Sequence, residues 1–233
     1  VRFRPVWAAL AVVLLVLGAC SDDDGSTNEQ ADPDAAVDEP IAPPTTASPE
    51  TGGIDVPDIP GTFPAAVPSA GFGIAVPEGW QATVLTEDAL ARLEEARLAR
   101  PSFLAAARQL FEAGAVFYAA GVDEQDRVSE LKIDVQDDAD TSQEAIMALA
   151  GSVATSGQVT DAVVVEDDPD DDRIRVDYRL ALPSAEDGTP IDALGSQLFV
   201  VDGDRLWSFI ITSEDTDTQT ALLQIFDEGI TFD

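Results

Sequence analysis

The chain has no histidine and a single cysteine in 233 residues. Without histidine, Ser–His–Asp and Cys–His nucleophile arrangements are excluded, as are His-ligated metal sites and the usual general base near pH 7. A lone cysteine excludes an internal disulfide framework. Basic residues are scarce: one lysine and eleven arginines stand against 45 acids, for a formal net charge of −33. That balance argues against nucleic acid, whose binding depends on Lys and Arg neutralising phosphates. It argues equally against adhesion to anionic lipid through charge. Divalent cations, basic partners and neutral glycans are the counterparts it leaves. Scarce lysine with abundant Ala, Val and Asp suits a high-GC source.

The one cysteine stands in an informative place. Arg2 and Arg4 precede Val6–Leu17, twelve apolar residues in a row. That length matches the hydrophobic region of a secretory signal and is short of the ~20 residues of a membrane-spanning helix. Small residues Gly18 and Ala19 follow Leu17 and lead into Cys20. The stretch Leu17-Gly18-Ala19-Cys20 resembles the lipobox of bacterial lipoproteins. The resemblance implies removal of residues 1–19 and acylation of the Cys20 thiol. It implies a protein anchored to the cell membrane through acyl chains on its extracytoplasmic face. Two or more chains hold stably where one holds marginally, at ~0.8 kcal/mol per buried CH₂. The alternatives are a plain secreted protein and a short uncleaved anchor.

Residues 21–70 carry eleven acids, nine prolines and no base. Such composition buries too little to offset ordering, so residues 20–70 are expected to form a disordered, acidic, Pro-rich tether. As a flexible coil it would span roughly 40 Å. Thr45, Thr46 and Ser48 are candidate O-glycan acceptors.

Periodicity begins at Gly71, and 71–233 is expected to be one domain. Phe72, Ile74 and Val76 alternate as a strand, and Gln81–Leu85 reads as the next. Thr86 is placed to cap a helix that Pro101 breaks or kinks and that ends near Gly114. Ala115–Ala120 reads as a buried strand. In Val128–Val135, Leu131, Ile133 and Val135 face inward while Glu130, Lys132 and Asp134 face solvent. Thr141 and Glu144 form a capping box before a helix with Ile146, Leu149 and Val153 on one face. Strands follow at Gln158–Val165, Arg173–Leu182, Gly195–Val201 and Arg205–Ile211, the last two joined by Asp202-Gly203. A final helix starts near Asp215 or Thr216, with a second box at Thr216 and Gln219, and ends near Gly229. The order ββαββαββββα predicts an α+β fold, a largely antiparallel sheet covered by helices as an α/β/α sandwich.

The run Gly71-Phe72-Gly73-Ile74-Ala75-Val76-Pro77-Glu78-Gly79-Trp80 resembles the PsbP/Mog1-like fold, especially the LpqN/LpqT-type lipoproteins of actinobacteria. Arg205-Leu206-Trp207-Ser208-Phe209 and the closing Gly229-Ile230-Thr231-Phe232 extend that resemblance. It implies a binding or adaptor module without a shared catalytic centre or cofactor, and it transfers no active site.

Few residues stand out for chemistry. Lys132 could serve a Ser–Lys pair, but flanking Glu130 and Asp134 favour its protonated form, wrong for a base. A carboxylate-pair hydrolase remains the alternative to a non-enzymatic module, with no two acids singled out. Glu166–Asp172 is the densest acid cluster and suggests either a weak Ca²⁺ site or a solvated turn; it lacks the EF-hand glycine. Arg173, Arg175 and Arg179 form a basic stripe, read either as a ligand face or as cross-strand charge pairing. Trp80 and Trp207 suit sugar stacking or, more simply, the core. The expected ligand is an envelope protein, glycan or lipid.

Overall fold

The structure is a computed structural model that describes residues 54–97, 99–157, 159–168, 173–183 and 190–232. The lipobox, Cys20, the acceptors Thr45, Thr46 and Ser48, and the core of the acidic run at 169–172 lie outside the described residues.

Ten strands and four helices follow in order: β1 (Thr62–Val67), β2 (Phe72–Pro77), β3 (Gln81–Val84), α1 (Glu87–Ala96), α2 (Pro101–Glu112), β4 (Phe117–Val122), β5 (Val128–Gln136), α3 (Gln143–Ala154), β6 (Val159–Asp168), β7 (Arg173–Pro183), β8 (Pro190–Asp202), β9 (Arg205–Ser213), α4 (Thr216–Gly229) and β10 (Ile230–Phe232). They build a seven-stranded sheet, β3-β4-β5-β9-β8-β7-β6, and a three-stranded sheet, β1-β2-β10. The ladders are antiparallel, both those joined by short connections and the long-range pairs β5–β9 and β2–β10.

The class is α+β, but the layers differ from a plain α/β/α sandwich. One face of the large sheet packs against the small sheet and α4. Phe72, Ile74 and Val76 of β2 meet Phe117, Ile133, Phe209, Leu222 and Phe226 there. The other face carries α1 and α2 at one end, over Tyr118 and Ala120, and α3 at the other, over Ile174, Val176 and Phe199.

The fold begins earlier than residue 71. β1 pairs with β2 from Thr62↔Pro77 to Val67↔Phe72, and Ala65, Ala66 and Val67 are buried. Upstream, Ile54 and Val56 lie over Gly73, where an added Cβ would fall 2.6 Å from Val56 Cγ2. Residues 54–70 therefore belong to the domain and not to the tether. Their prolines hide this: Pro64 sits on a strand whose other side has no partner, where the missing N–H costs nothing.

Local chemistry sets the helix ends. Thr86 Oγ1 accepts from Ala89 N at 3.2 Å and caps α1. The chain leaves α1 through Arg97 in a left-handed conformation (φ 52°), and Arg100 is extended before Pro101. A residue preceding proline avoids the helical region, so one kinked helix becomes two, with Pro101 at the favoured first turn. At α3 the cap is Ser142, not Thr141: Ser142 Oγ accepts from Ala145 N while Asp140 Oδ1 accepts from Ser142 N. At α4 Asp215 is the cap, accepting from Thr218 N at 2.9 Å. That hydrogen bond is the main reason its carboxyl lies below the usual carboxylate range. Gln219 closes no capping box. It is buried and donates to Ser196 Oγ, tying α4 to β8. The β8–β9 turn comprises Gly203 and Asp204, one residue beyond the expected pair, with Asp202 opposite Arg205. The glycine takes the positive φ (64°).

A chain starting at Gly71 should therefore fold poorly. Loss of β1 and of the Ile54–Val56 cover strips apolar area from both faces of β2, which should cost about 3 kcal/mol or more. Thermal unfolding should show a midpoint ~6–12 °C below that of a chain starting at Ile54. Equal midpoints would place β1 outside the cooperative unit.

Candidate functional site

The large sheet must cover two faces, and one is covered incompletely. On the helical side α1 packs on β3, α2 on β4, and α3 on β6 and β7. The central strands β5, β9 and β8 lie between these rims; on this side β5 carries Glu130, Lys132 and Asp134, while β9 and β8 alternate polar residues with Leu206, Ile210 and Phe199. Register fixes which residues share the floor, since directly paired residues project to the same side. One row runs Glu130, Thr212, Gly195 and Tyr178; the next runs Tyr118, Lys132, Ile210 and Gln197; a third pairs Asp134 with Ser208.

The two tyrosines wall this strip. Tyr118 is stacked under Phe103 of α2 with ring centroids 4.9 Å apart, and its hydroxyl donates to Glu130 Oε1 at 2.6 Å. Tyr178 leans across Gly195, where any Cβ would fall 2.0 Å from its ring. A glycine is thus required at that place on β8. Burial, with the charge of Asp177 adding to it, pushes the Tyr178 hydroxyl up to about 12. Tyr118 is pushed up as well, by burial first and then by Glu130.

The floor carries partly dried charges. Lys132 Nζ lies 3.3 Å from Asp134 Oδ2, and the lysine side chain is only 15% exposed. Burial raises the Asp134 carboxyl above its ordinary range, partly offset by Lys132. Burial raises Glu130 too; the Tyr118 hydrogen bond works against this and the charge of Glu214 adds to it. Gln197 Nε2 donates to Ser208 Oγ at 2.7 Å.

Alternation along β5 holds, with Leu131 and Ile133 fully buried against the small sheet. The opposite face of β5 is not open solvent, because helices rise on both sides of it. That corrects the reading of Lys132 as an exposed residue. Tyr118 and Gln197 escaped the sequence reading because each sits in an apolar run. The Asp123–Asp126 turn was the available signal: it sets Val122 opposite Val128 and so Tyr118 beside Glu130.

The arginine stripe lies on the other face of the sheet. Arg173, Arg175 and Arg179 pair with Val200, Leu198 and Leu194, on the side of the small sheet and α4. Arg175 Nε reaches both Asp177 oxygens at 3.2 Å. Asp177 in turn accepts from Ser196 Oγ at 2.6 Å. Arg179 Nε lies 3.9 Å from Asp161 of β6, at a bulge where Asp161 has φ 52°. Arg175 and Arg179 are thus charge-paired on or across strands. Trp207 is fully buried against Phe72 (5.0 Å) and Phe232 (5.4 Å). Trp80 lies over Gly121, where a Cβ would meet its indole at 2.2 Å. Both tryptophans belong to the core. Glu166–Asp168 run to the end of β6, at its hairpin with β7. Among the described residues no group of three His, Cys, Asp or Glu is arranged to hold a metal.

Two substitutions probe the floor. A carboxyl whose folded pKa is raised contributes stability at low pH that is lost as pH rises through the folded value. Glu130→Gln should therefore raise the unfolding midpoint at pH 7, with the gain shrinking towards pH 4. Tyr118→Phe removes a donor to a charged acceptor and should cost about 1.5–3 kcal/mol at pH 7. Chemical denaturation at the two pH values checks both; a pH-independent Glu130→Gln effect contradicts the desolvation account.

No family model matches the sequence, and no curated protein matches it. Among solved structures the chain is similar to the solution structure of cyanobacterial PsbP (CyanoP) from Synechocystis sp. PCC 6803. The two are 13% identical, the match covers 79% of this chain and 98% of that one, and the TM-score is 0.40.

Proposed function

We propose that this chain is a lipid-anchored binding or adaptor module of the cell envelope, of the PsbP/Mog1-like kind, whose ligand is received in the strip between the α2 and α3 rims. The observation that carries this reading is the strip itself. Two adjacent central strands, β5 and β9, present Glu130, Lys132, Asp134, Ser208 and Thr212 half-buried, where a sheet covered for stability alone would carry apolar residues. Polar groups converging between raised walls give a ligand orientation and specificity. Leu17, Gly18, Ala19 and Cys20 supply the lipid-anchoring half of the proposal. Among the described residues no helix is long and apolar enough to cross a membrane.

A second reading, a carboxylate-dependent hydrolase, is favoured by one pair. Burial raises the Glu130 carboxyl above its ordinary range, and the charge of Glu214 adds to this. A carboxyl whose hold on its proton is strengthened by burial can serve as a general acid.

The anchor is tested by mass spectrometry of the N-terminal peptide from envelope-isolated protein. Diacylglyceryl on Cys20 is the expected finding, with Cys20→Ala leaving the membrane fraction. Equal membrane partition of the two proteins would sink the anchor. Steady turnover of envelope glycans or esters, abolished by Glu130→Gln, would replace the binding module with the hydrolase.

A further inference from the structure

The strip's charge, spacing and width together select a class of ligand; this step rests on the strip being the binding site. We propose that it receives an extended basic segment of a partner polypeptide, with cationic side chains of that segment reaching Glu130 and Asp134.

Charge is the first argument. Glu130 and Asp134 project from β5 onto the floor, and the charge of Glu214 adds at the Glu130 end. Lys132 is the one base among them and is engaged by Asp134. The strip is therefore acidic on balance, in a chain of net charge −33 that draws cationic partners from a distance. Both carboxylates have lost part of their hydration, so an incoming cation restores favourable interactions that the folded protein lacks. A charge pair formed in so dry a place is worth several times one at an exposed surface.

Spacing is the second. Glu130 and Asp134 are four residues apart on one face of a strand, so their Cα atoms are ~13–14 Å apart at ~3.4 Å per residue. An extended peptide has the same repeat. Lysine or arginine at positions n and n+4 of the partner would share a face and match the two acids. Cations at n and n+3 would point to opposite faces.

Width is the third. From β4 to the β6–β7 boundary is about four and a half strand spacings, ~22 Å, and helices of ~10–12 Å diameter stand over both ends. That leaves ~10 Å across β9, the breadth of one extended chain.

The test uses the full-length chain in a neutral detergent. The probes are two synthetic peptides of identical composition in Ser, Thr and two lysines. One has the lysines four residues apart, the other three apart. Titration calorimetry should give at least five-fold tighter binding for the four-residue spacing. Glu130→Gln with Asp134→Asn should weaken that peptide at least ten-fold. Glu112→Gln with Glu124→Gln removes the same charge at exposed positions and should leave affinity within two-fold. Lys132→Met should tighten binding several-fold, and an unfolding midpoint for each variant confirms that it is folded. Equal affinity for the two peptides, or equal losses in the two double variants, overturns the proposal by showing attraction to the overall charge alone. A parallel arm separates this from failure of the site itself, using maltotetraose as a neutral probe read by amide shifts of Glu130–Asp134. If the sugar shifts those amides and neither peptide binds, the basic segment is overturned and the strip stands as a site. If neither probe perturbs them, both readings fall together.

Discussion

Phe72 holds the two sheets together. Its ring lies 5.0 Å from Trp207 and within 6.2 Å of Phe117 and Phe209, joining three strands counting its own. Edge and tilted contacts of this kind add about 0.5–1.5 kcal/mol each beyond burial. Their larger effect is geometric. β2 is held over the middle of the large sheet by this cluster, and β1, β10 and the chain before β1 are ordered on β2 in turn. Trp207 accepts a cost for its place, since its indole N–H is buried without a partner. An unmade hydrogen bond costs ~1–3 kcal/mol. The fully buried ring, touching Phe72, Phe209 and Phe232, offsets that through area.

This arrangement divides the large sheet's faces unequally. The side facing the small sheet is filled continuously from β4 to β8. Among the described residues, the helical side is filled only where α1, α2 and α3 stand, since α4 packs on the opposite face. Gln219 explains that placement. Its amide donates to Ser196, Ser196 to Asp177, and Asp177 pairs with Arg175, a polar line from α4 to β7 that is buried at Gln219 and Ser196. The N-terminus of the same helix is fixed by Arg127, which bonds both Asp123 and the Asp215 cap. With α4 committed on that face, the strip over β5, β9 and β8 is left for polar residues.

Alternation and caps made most elements legible: Ile174, Val176, Tyr178 and Leu180 do share a buried face, and Thr86 does cap its helix. Two things could not be read. Composition concealed β1, because the prolines upstream of Gly71 continue through Thr62–Val67 at Pro64 and beyond it at Pro68. A short strand with one bare side tolerates what a central strand would not. Burial of the second face of β5 was also hidden. Period two says that Lys132 and Leu131 point apart; it does not say whether water or a helix meets either of them. Whether an alternate face is wet depends on helices distant in sequence, Phe103 in one and Ile146 in the other.

The shortage of cations ties these observations together. In a chain with 45 acids and 12 bases, several of the described bases have found an acid. Arg205 bridges Asp137 and the Ala70 carbonyl, Arg108 pairs with Glu94, and Arg179 approaches Asp161. Exposed pairs of this kind are worth little, ~0–1 kcal/mol. A basic stripe in such a sequence is therefore weak evidence of an anionic ligand, because neighbouring acids already meet it. The converse holds for the acids. Most of them face water and need nothing, so the informative ones have lost hydration without gaining a full counter-charge. Glu130 fits that description: its close contact is a neutral tyrosine hydroxyl and the charge nearest in effect is another carboxylate. A folded protein gains no stability by keeping a carboxylate there.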